Sequence, residues 1–193
     1  MALALIPRSF ITVVACLAAS PAAADAWQGD QNAGTLQFVA TQAGAKFTGG
    51  FRTFAVRFEF DPARPAGGSL DVTVALKSAD TADAERDEIL KGAEFFWTDR
   101  HPQAEFHASR FRREGTRWRA DGELTLRGVA QPVAVLFTLD GQPQQLGMTG
   151  AATLRRLDFG VGQGEWSTTE WIGDEVEVRF DLRLKPAAAE ASP

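Results

Sequence analysis

Along most of the chain, apolar and polar residues alternate one by one, which is the period of a β-strand that buries one face. The segment 174–185 is the clearest case, because every second residue is apolar and its neighbours are charged. Similar alternation predicts further strands at about 35–41, 44–52, 54–61, 68–77, 103–112, 117–126, 130–141 and 145–156. One apolar and one mostly polar face per strand is typical of antiparallel sheets. Short strands separated by turn signals such as Asp140-Gly141 therefore predict an all-β sandwich or barrel.

The alternation stops between residues 78 and 97. This stretch predicts a short helix that begins with a capping side chain from Asp80, Thr81 or Asp83 and ends at Gly92. A turn after the helix presents three large apolar side chains in a row, Phe95, Phe96 and Trp97. We expect the helix and the aromatic cluster to form a lid over one end of the barrel or sandwich.

The chain begins with the features of a secretory signal peptide. Arg8 precedes a short apolar run, and the small residues around Ala24 and Ala26 form a cleavage site. The run is too short to cross a bilayer. We predict a signal peptide over residues 1–26, one domain over residues 27–186 and a disordered tail over residues 187–193. Export through this peptide would make the mature protein a secreted, periplasmic one.

Composition and charge narrow the function. The chain carries 20 Lys and Arg against 25 Asp and Glu, and this net charge of −5 gives it no electrostatic reason to bind nucleic acid. Its single cysteine, Cys16, lies in the predicted signal peptide, so the mature domain has no thiol for catalysis. Arginines cluster at 110–113, 117–119 and 155–156. We interpret them as a solvated strand edge that discourages sheet pairing; the alternative is a mouth that attracts phosphate or anionic headgroups.

Candidate chemistry is sparse. Glu105 and His107 share one face of a strand, and His101 lies in the turn before it, so these three residues could supply metal ligands for a hydrolase. No further histidine exists, and neither a nucleophile elbow nor a phosphate-binding glycine loop occurs in the sequence. A solvated strand face beside a turn is the favoured interpretation. We therefore predict no catalytic residue, no metal site and no enzyme.

Three stretches together carry a family resemblance. The first joins Ala84-Glu-Arg-Asp87, Glu94-Phe-Phe96 and Pro102-Gln-Ala-Glu-Phe106, the second is 122–133 and the third is 157–162. In order and spacing they resemble the YceI family, whose members are periplasmic lipid-binding proteins similar in shape to lipocalins. The chain departs from the family pattern at Ile89, where a histidine is common, and at Trp97, where an acid or amide is common. Both departures make the lid more apolar.

The resemblance implies a fold and a ligand. The fold is an extended antiparallel β-barrel of about eight strands, with a short helical insertion between two central strands. Its apolar tunnel would hold a polyisoprenoid or an isoprenoid quinone, and the protein would carry or store that lipid. The residues expected in the tunnel and its lid are Phe47, Phe58, Val72, Val74, Arg86, Phe95, Phe96, Trp97, Phe106, Leu126, Phe137 and Phe180.

Arg86 and Asp87 form the most suggestive polar pair. Arg86 could reach a lipid headgroup at the tunnel mouth while Asp87 or Asp80 holds it; in the structural interpretation, which we favour, an ion pair of Arg86 pins the helix to the barrel rim. Trp166 and Trp171 could cap a mouth of the tunnel.

Partners follow from the lipid. No cofactor is expected apart from a bound isoprenoid lipid or quinone. A membrane cytochrome or a lipid-using membrane enzyme could receive the lipid, and a homodimer is a further option. A different class of function also stays open at this point: a periplasmic stress or interaction protein whose barrel is filled by its own side chains.

Overall fold

The computed structural model describes residues 25–142 and 144–187. The predicted signal peptide lies outside these residues except for Asp25 and Ala26, and the predicted tail lies outside them except for Ala187. Within the described ranges the chain forms eleven β-strands and one α-helix. The strands are β1 (Asp25–Asp30), β2 (Gly34–Gln42), β3 (Ala45–Phe51), β4 (Phe54–Phe60), β5 (Ser69–Ala75), β6 (Ala79–Asp80), β7 (Gln103–Glu114), β8 (Arg117–Leu126), β9 (Val129–Gln142), β10 (Gln145–Arg155) and β11 (Glu175–Pro186), and helix α1 is Ala84–Lys91.

The sheet closes on itself. Antiparallel pairing runs β1-β4-β5-β7-β8-β9-β10-β11, and β11 pairs again with β1. The last residues of β11 pair with β1, at Trp27↔Pro186, whereas its middle pairs with β2, at Phe180↔Leu36. β2 in turn pairs with β3, just as β1 pairs with β4. The segments β1–β2 and β3–β4 therefore each behave as one long, bent strand of the barrel, which has eight strand positions in total. The predicted antiparallel barrel with a helical insertion is confirmed.

Strand positions follow the predicted alternation closely. In β4 the burial pattern switches strictly between buried and exposed residues, with Phe54, Val56, Phe58 and Phe60 inside. β8 has the bounds that the alternation predicts. The sequence prediction missed β1, because Asp25–Asp30 is short, lacks a clean alternation and overlaps the predicted cleavage site.

Helix α1 also forms where the sequence predicts it. Asp83 is the N-cap, and its Oδ1 accepts a hydrogen bond of 3.1 Å from the Arg86 backbone N–H. Glu85 and Asp87 lie in the first turn and Lys91 in the last, the placement that the helix dipole favours. The helix ends at Gly92, and Leu90 is its buried residue. The helix thereby covers one end of the barrel.

The interior is divided into two packed clusters. One lies around Phe58, Phe137 and Trp118, between the ends of β4, β7, β8 and β9 that are far from α1. The other lies under α1 and includes Leu90, Phe95, Phe96 and Phe159. We call the first the filled end of the barrel and the second the lid end.

Candidate functional site

A cavity of about 460 Å³ occupies the lid end of the barrel. Alternation places every second residue of each strand on its inner face, so the wall is built from Leu, Val, Ala and Phe side chains. The strands contribute to it chiefly Leu36, Phe38, Phe47, Phe51, Val72, Val74, Phe106, Leu124, Leu126, Val133, Ala152, Leu154, Val176, Val178 and Phe180. The ionisable side chains among the lining residues are Asp83, Glu85, Arg86 and Arg156. The interior of the cavity is therefore almost entirely apolar.

The cavity ends against the aromatic side chains of the filled end. The rings of Phe60 and Trp118 lie 4.8 Å apart, and Phe58 lies 5.2 Å from Phe60 and 5.8 Å from Phe137, measured between ring centroids. Phe58 and Phe137 have no solvent exposure and do not line the cavity. The two residues, expected in a tunnel, instead close it, because rings from opposite strands meet across the barrel. The cavity is a blind pocket with one open side.

Three elements surround the open side: helix α1, the β2–β3 hairpin, and the segment 160–174, which we call the flap. Ile89 of α1 lines the cavity and is 42% exposed, so it marks the rim. The flap is tied to the hairpin by the Ala43 N–H, which donates to the Trp171 carbonyl at 2.8 Å. Trp171 itself is 58% exposed. The mouth therefore combines exposed apolar side chains with the charged lining residues Asp83, Glu85 and Arg86.

Arg86 is at the mouth, but its partners differ from the expected ones. Its Nη2 donates to Asp83 of its own helix end at 3.2 Å, and its guanidinium lies 4.4 Å above the centre of the Phe47 ring. Asp87 accepts instead from the Thr81 N–H and hydroxyl, at 2.8 and 2.7 Å. Asp80 pairs with Arg52. The expected ion pair between helix and rim is thus wrong; the contact from Arg86 to the barrel is a cation–π contact with Phe47.

The three lid aromatics separate. Phe95 and Phe96 are buried and line the cavity, with Phe96 6.2 Å from Phe51 and Phe95 5.9 Å from Trp166 of the flap. Trp97 does not line it. Its backbone has φ +50°, a left-handed conformation that turns the chain, and its ring packs outside the cavity. There the guanidinium groups of Arg100 and Arg127 lie over it at 4.8 and 5.4 Å, and the His101 ring meets it edge-on at 5.7 Å.

The other expected site residues lie on the cavity wall. Besides Phe95 and Phe96, the structure brings together Phe47, Val72, Val74, Arg86, Phe106, Leu126 and Phe180 as lining residues. Trp166 lines the cavity as well, and its Nε1 donates to Glu94 Oε2 at 3.1 Å. The residues expected in the site that lie elsewhere are Phe58, Trp97 and Phe137.

Arg156 is a charged lining residue that the sequence prediction missed. Its side chain lines the cavity and is almost wholly buried, at 5% exposure, whereas the neighbouring Arg155 is exposed. Burial lowers the pKa of Arg156, and the nearby Asp174 partly opposes that shift. The interpretation of 155–156 as a solvated edge is therefore wrong for Arg156. The alternation along β10 contained the signal for this position. Ala152 and Leu154 face inward, and Arg156, two residues further on, falls on the same face.

The histidines lie on the outside of the barrel. His107 Nδ1 is 2.6 Å from Asp71 Oδ1, and this pair is solvent exposed. His101 packs against Trp97. Among the described residues, no three His, Cys, Asp or Glu side chains are close enough to hold a metal ion. His101, Glu105 and His107 thus do not converge on one site.

In the described part of the chain, no helix combines the length and the apolar character that crossing a bilayer requires.

Comparison with known proteins adds the family. Residues 27–184 match the model of the YceI-like domain. The chain belongs to the YceI family. Protein YceI of Shigella flexneri is 39% identical over 119 residues, and UPF0312 protein ECA1782 of Pectobacterium atrosepticum is 34% identical over 119 residues. Each match covers 58% of this chain and 62% of the relative, so the similarity spans about three fifths of these curated relatives.

Solved structures share the barrel. The crystal structure of BcnA from Burkholderia cenocepacia superposes with a TM-score of 0.74 at 30% identity, covering 78% of this chain and 95% of BcnA. A polyisoprenoid-binding domain from Saccharophagus degradans, implicated in plant cell wall breakdown, gives a TM-score of 0.65 over 85% of this chain and 99% of that domain. At 13% identity, this second likeness concerns the fold alone.

Proposed function

We propose that this YceI-family protein binds a long-chain isoprenoid lipid, either a polyisoprenoid or an isoprenoid quinone, and carries or stores it in the periplasm. The observation that carries the proposal is the blind apolar cavity under α1, whose polar lining residues other than the buried Arg156 lie near its mouth. Such a shape suits a ligand with an apolar chain and one polar end. The polyisoprenoid-binding neighbour with the same fold supports this ligand class.

Apolar burial alone supplies enough affinity. Removing one CH2 group from water is worth about 0.8 kcal/mol, so each five-carbon isoprenoid unit contributes about 4 kcal/mol before the costs of association. Because association itself costs at least about 4 kcal/mol, about three buried units are the fewest that reach micromolar binding. We infer that the chain enters first and that the headgroup stays at the mouth, near Gln42 and Arg86.

A binding role fits the site better than catalysis. General acid–base chemistry needs a titratable group within reach of the reacting atom. The strand residues that line the interior of the cavity, such as Val72 and Phe180, supply only apolar side chains. The hydrolase alternative required His101, Glu105 and His107 to converge, which they do not. The alternative of a barrel filled by its own side chains fits only the filled end.

The periplasmic location rests on the predicted signal peptide. Intact-mass measurement of the secreted protein tests it, and a start after Ala24 or Ala26 is expected. Val13-Val-Ala-Cys16 loosely resembles a lipoprotein cleavage box, so a diacylglyceryl mass on Cys16 would instead place the protein on a membrane. A membrane cytochrome or lipid-using membrane enzyme would be a natural recipient of the lipid. A homodimer is not required by the cavity, because one chain supplies the whole lining described above.

The decisive experiment is lipid extraction from the natively purified protein, followed by mass spectrometry. We expect an isoprenoid chain in near-stoichiometric amount. A cavity occupied by phospholipid acyl chains, or a protein that never retains isoprenoids added in excess, would contradict the proposal. The double variant His101→Gln/His107→Gln should retain as much lipid as the wild type, whereas loss of a bound metal or of turnover in that variant would favour the enzyme.

A further inference from the structure

The flap forms one wall of the cavity with little regular structure of its own. Within the described residues it contains a short 3-10 turn, Gly164–Ser167, and a single bridge between Ile172 and Gln42. Three of its side chains, Val161, Trp166 and Ile172, line the cavity. The backbone carbonyls of such a segment must find donors elsewhere, because buried carbonyls without partners are costly.

One side chain supplies those donors. Arg156 Nε donates to the Gly173 carbonyl at 3.0 Å. Its Nη1 donates to the Val161 and Trp166 carbonyls, both at 2.8 Å. Its Nη2 donates to the Thr168 carbonyl at 2.6 Å and the Ile172 carbonyl at 2.9 Å. A guanidinium has five N–H groups in a fixed planar fork, and here each of the five has a flap carbonyl as acceptor.

The flap backbone is shaped to this guanidinium. Gly162 has φ +94°, a conformation that favours glycine, and a Cβ at this position would collide with Arg156 Nη1. The flap also joins the lid through Glu94, whose carbonyl accepts from the Gly162 and Gln163 N–H groups at 2.8 and 2.9 Å. Arg156 and Glu94 thus hold the flap from its inner and outer sides.

We infer that Arg156 is the positioning residue that holds the flap in place as one wall of the cavity, and that the flap thereby limits the rate at which the ligand leaves through the mouth. This inference rests on the proposed lipid-binding function. Since all its donors are occupied by the flap, Arg156 has none left for a headgroup. It acts on the ligand through the position of Val161, Trp166 and Ile172.

The adjacent arginine provides a matched control. Arg155 is exposed and reaches only the last residue of the flap, Asp174, through an ion pair of 2.8 Å outside the cavity, so it shows whether the loss of any arginine contact to the flap has the same effect. We would load wild type, Arg156→Met, Arg156→Lys and Arg155→Met with the apolar dye N-phenyl-1-naphthylamine. Stopped-flow fluorescence would then follow its transfer to excess phosphatidylcholine vesicles. Amide hydrogen exchange of residues 161–173 and of β8 would be measured on the same samples.

We expect Arg156→Met to release the dye at least about tenfold faster, because most affinity changes appear in the dissociation rate. Flap amides should exchange faster in this variant while β8 amides stay protected. Arg156→Lys, with three donors instead of five, should be intermediate. Arg155→Met should stay within about twofold of the wild type.

Two results would overturn the inference. One is a wild-type release rate in Arg156→Met or Arg156→Lys despite faster exchange in the flap, and the other is an equal acceleration in Arg155→Met. If Arg156→Met does not fold, Arg156→Lys decides. The dye also separates the two proposals: a protein that never retains isoprenoids but shows these dye kinetics would refute the lipid function and leave the role of Arg156 standing.

Discussion

The filled end and the lid end of the barrel are both rich in phenylalanine, yet only one of them is hollow. At the filled end, Phe58 of β4 touches Phe137 of β9 although three strands lie between them in the barrel order, so the rings meet across the interior. At the lid end, Phe38 of β2 contacts Phe47 and Phe51 of the neighbouring β3, at 6.2 and 5.4 Å, so the rings lie along the wall. The arrangement of the aromatic side chains, rather than their number, determines which half of the barrel is hollow.

The largest expected difference comes from removing one ring in each half. Phe137→Ala should lower the free energy of unfolding by about 3–5 kcal/mol, because Phe137 is fully buried among packed rings. Phe180→Ala should cost only about 1–2 kcal/mol, since Phe180 already faces the cavity. Urea unfolding, with unchanged m-values, measures both. Equal losses would show that the lid end is packed as tightly as the filled end.

Adding a ring should affect stability in the filled end and ligand binding in the lid end. Ala120→Phe at the filled end, where Ala120 is fully buried, should destabilise the protein by about 1–3 kcal/mol or more through overpacking. Ala152→Phe on the cavity wall should change the free energy of unfolding by less than about 1 kcal/mol and expel the bound lipid. Lipid extraction and urea unfolding of both variants test this. Full lipid content in Ala152→Phe would mean that the ligand lies elsewhere.

The lid offers a pair of adjacent aromatics for a finer comparison. Phe96→Ala opens the roof of the cavity and should reduce retained lipid more than it lowers the melting temperature. Trp97→Ala, whose ring lies outside, should retain wild-type amounts of lipid. Lipid content per protein and thermal unfolding give the two readouts. Unchanged lipid in Phe96→Ala together with a large loss of stability would identify Phe96 as ordinary core.

The smallest expected effect concerns acid pH and the base of the flap. Burial alone would raise the pKa of Asp174, but the Leu157 N–H at 3.0 Å and Arg155 outweigh it and lower that pKa. A carboxyl group with a lowered folded-state pKa stabilises the fold above its unfolded-state pKa of about 3.9 and loses this contribution as pH falls through the folded-state value. The free energy of unfolding should therefore fall below about pH 4, and less steeply in Asp174→Asn. Identical pH profiles for the two proteins would contradict this role of Asp174.

Local signals predicted most of the fold. The alternation located β4 and β8, and the Asp83 cap with Gly92 bounded α1, because strand faces and helix ends depend on residues near in sequence. The height of a residue along the barrel axis does not depend on its sequence neighbours. Phe58 and Phe180 have the same local pattern, and only the register between strands places one in the filled end and the other on the cavity wall.

The site was harder to predict at residues whose side-chain position depends on a single backbone angle or on a partner distant in sequence. Trp97 follows two lid residues in sequence but turns outward through its positive φ. Arg156 resembles any surface arginine until the flap folds over it and supplies five carbonyls from residues that are 5 to 17 positions away. Such contacts between a side chain and a distant backbone leave no periodic trace in a sequence.

A cavity enclosed by folding is also a volume that unfolding abolishes. Hydrostatic pressure favours the state of smaller total volume, and the volume change of unfolding scales with internal void space. Whenever no lipid fills the cavity of about 460 Å³, the lid end is therefore the compressible half of the molecule, and pressure promotes its unfolding. A bound chain restores the density of an ordinary protein interior. The loaded barrel should then withstand pressures at which the empty one opens.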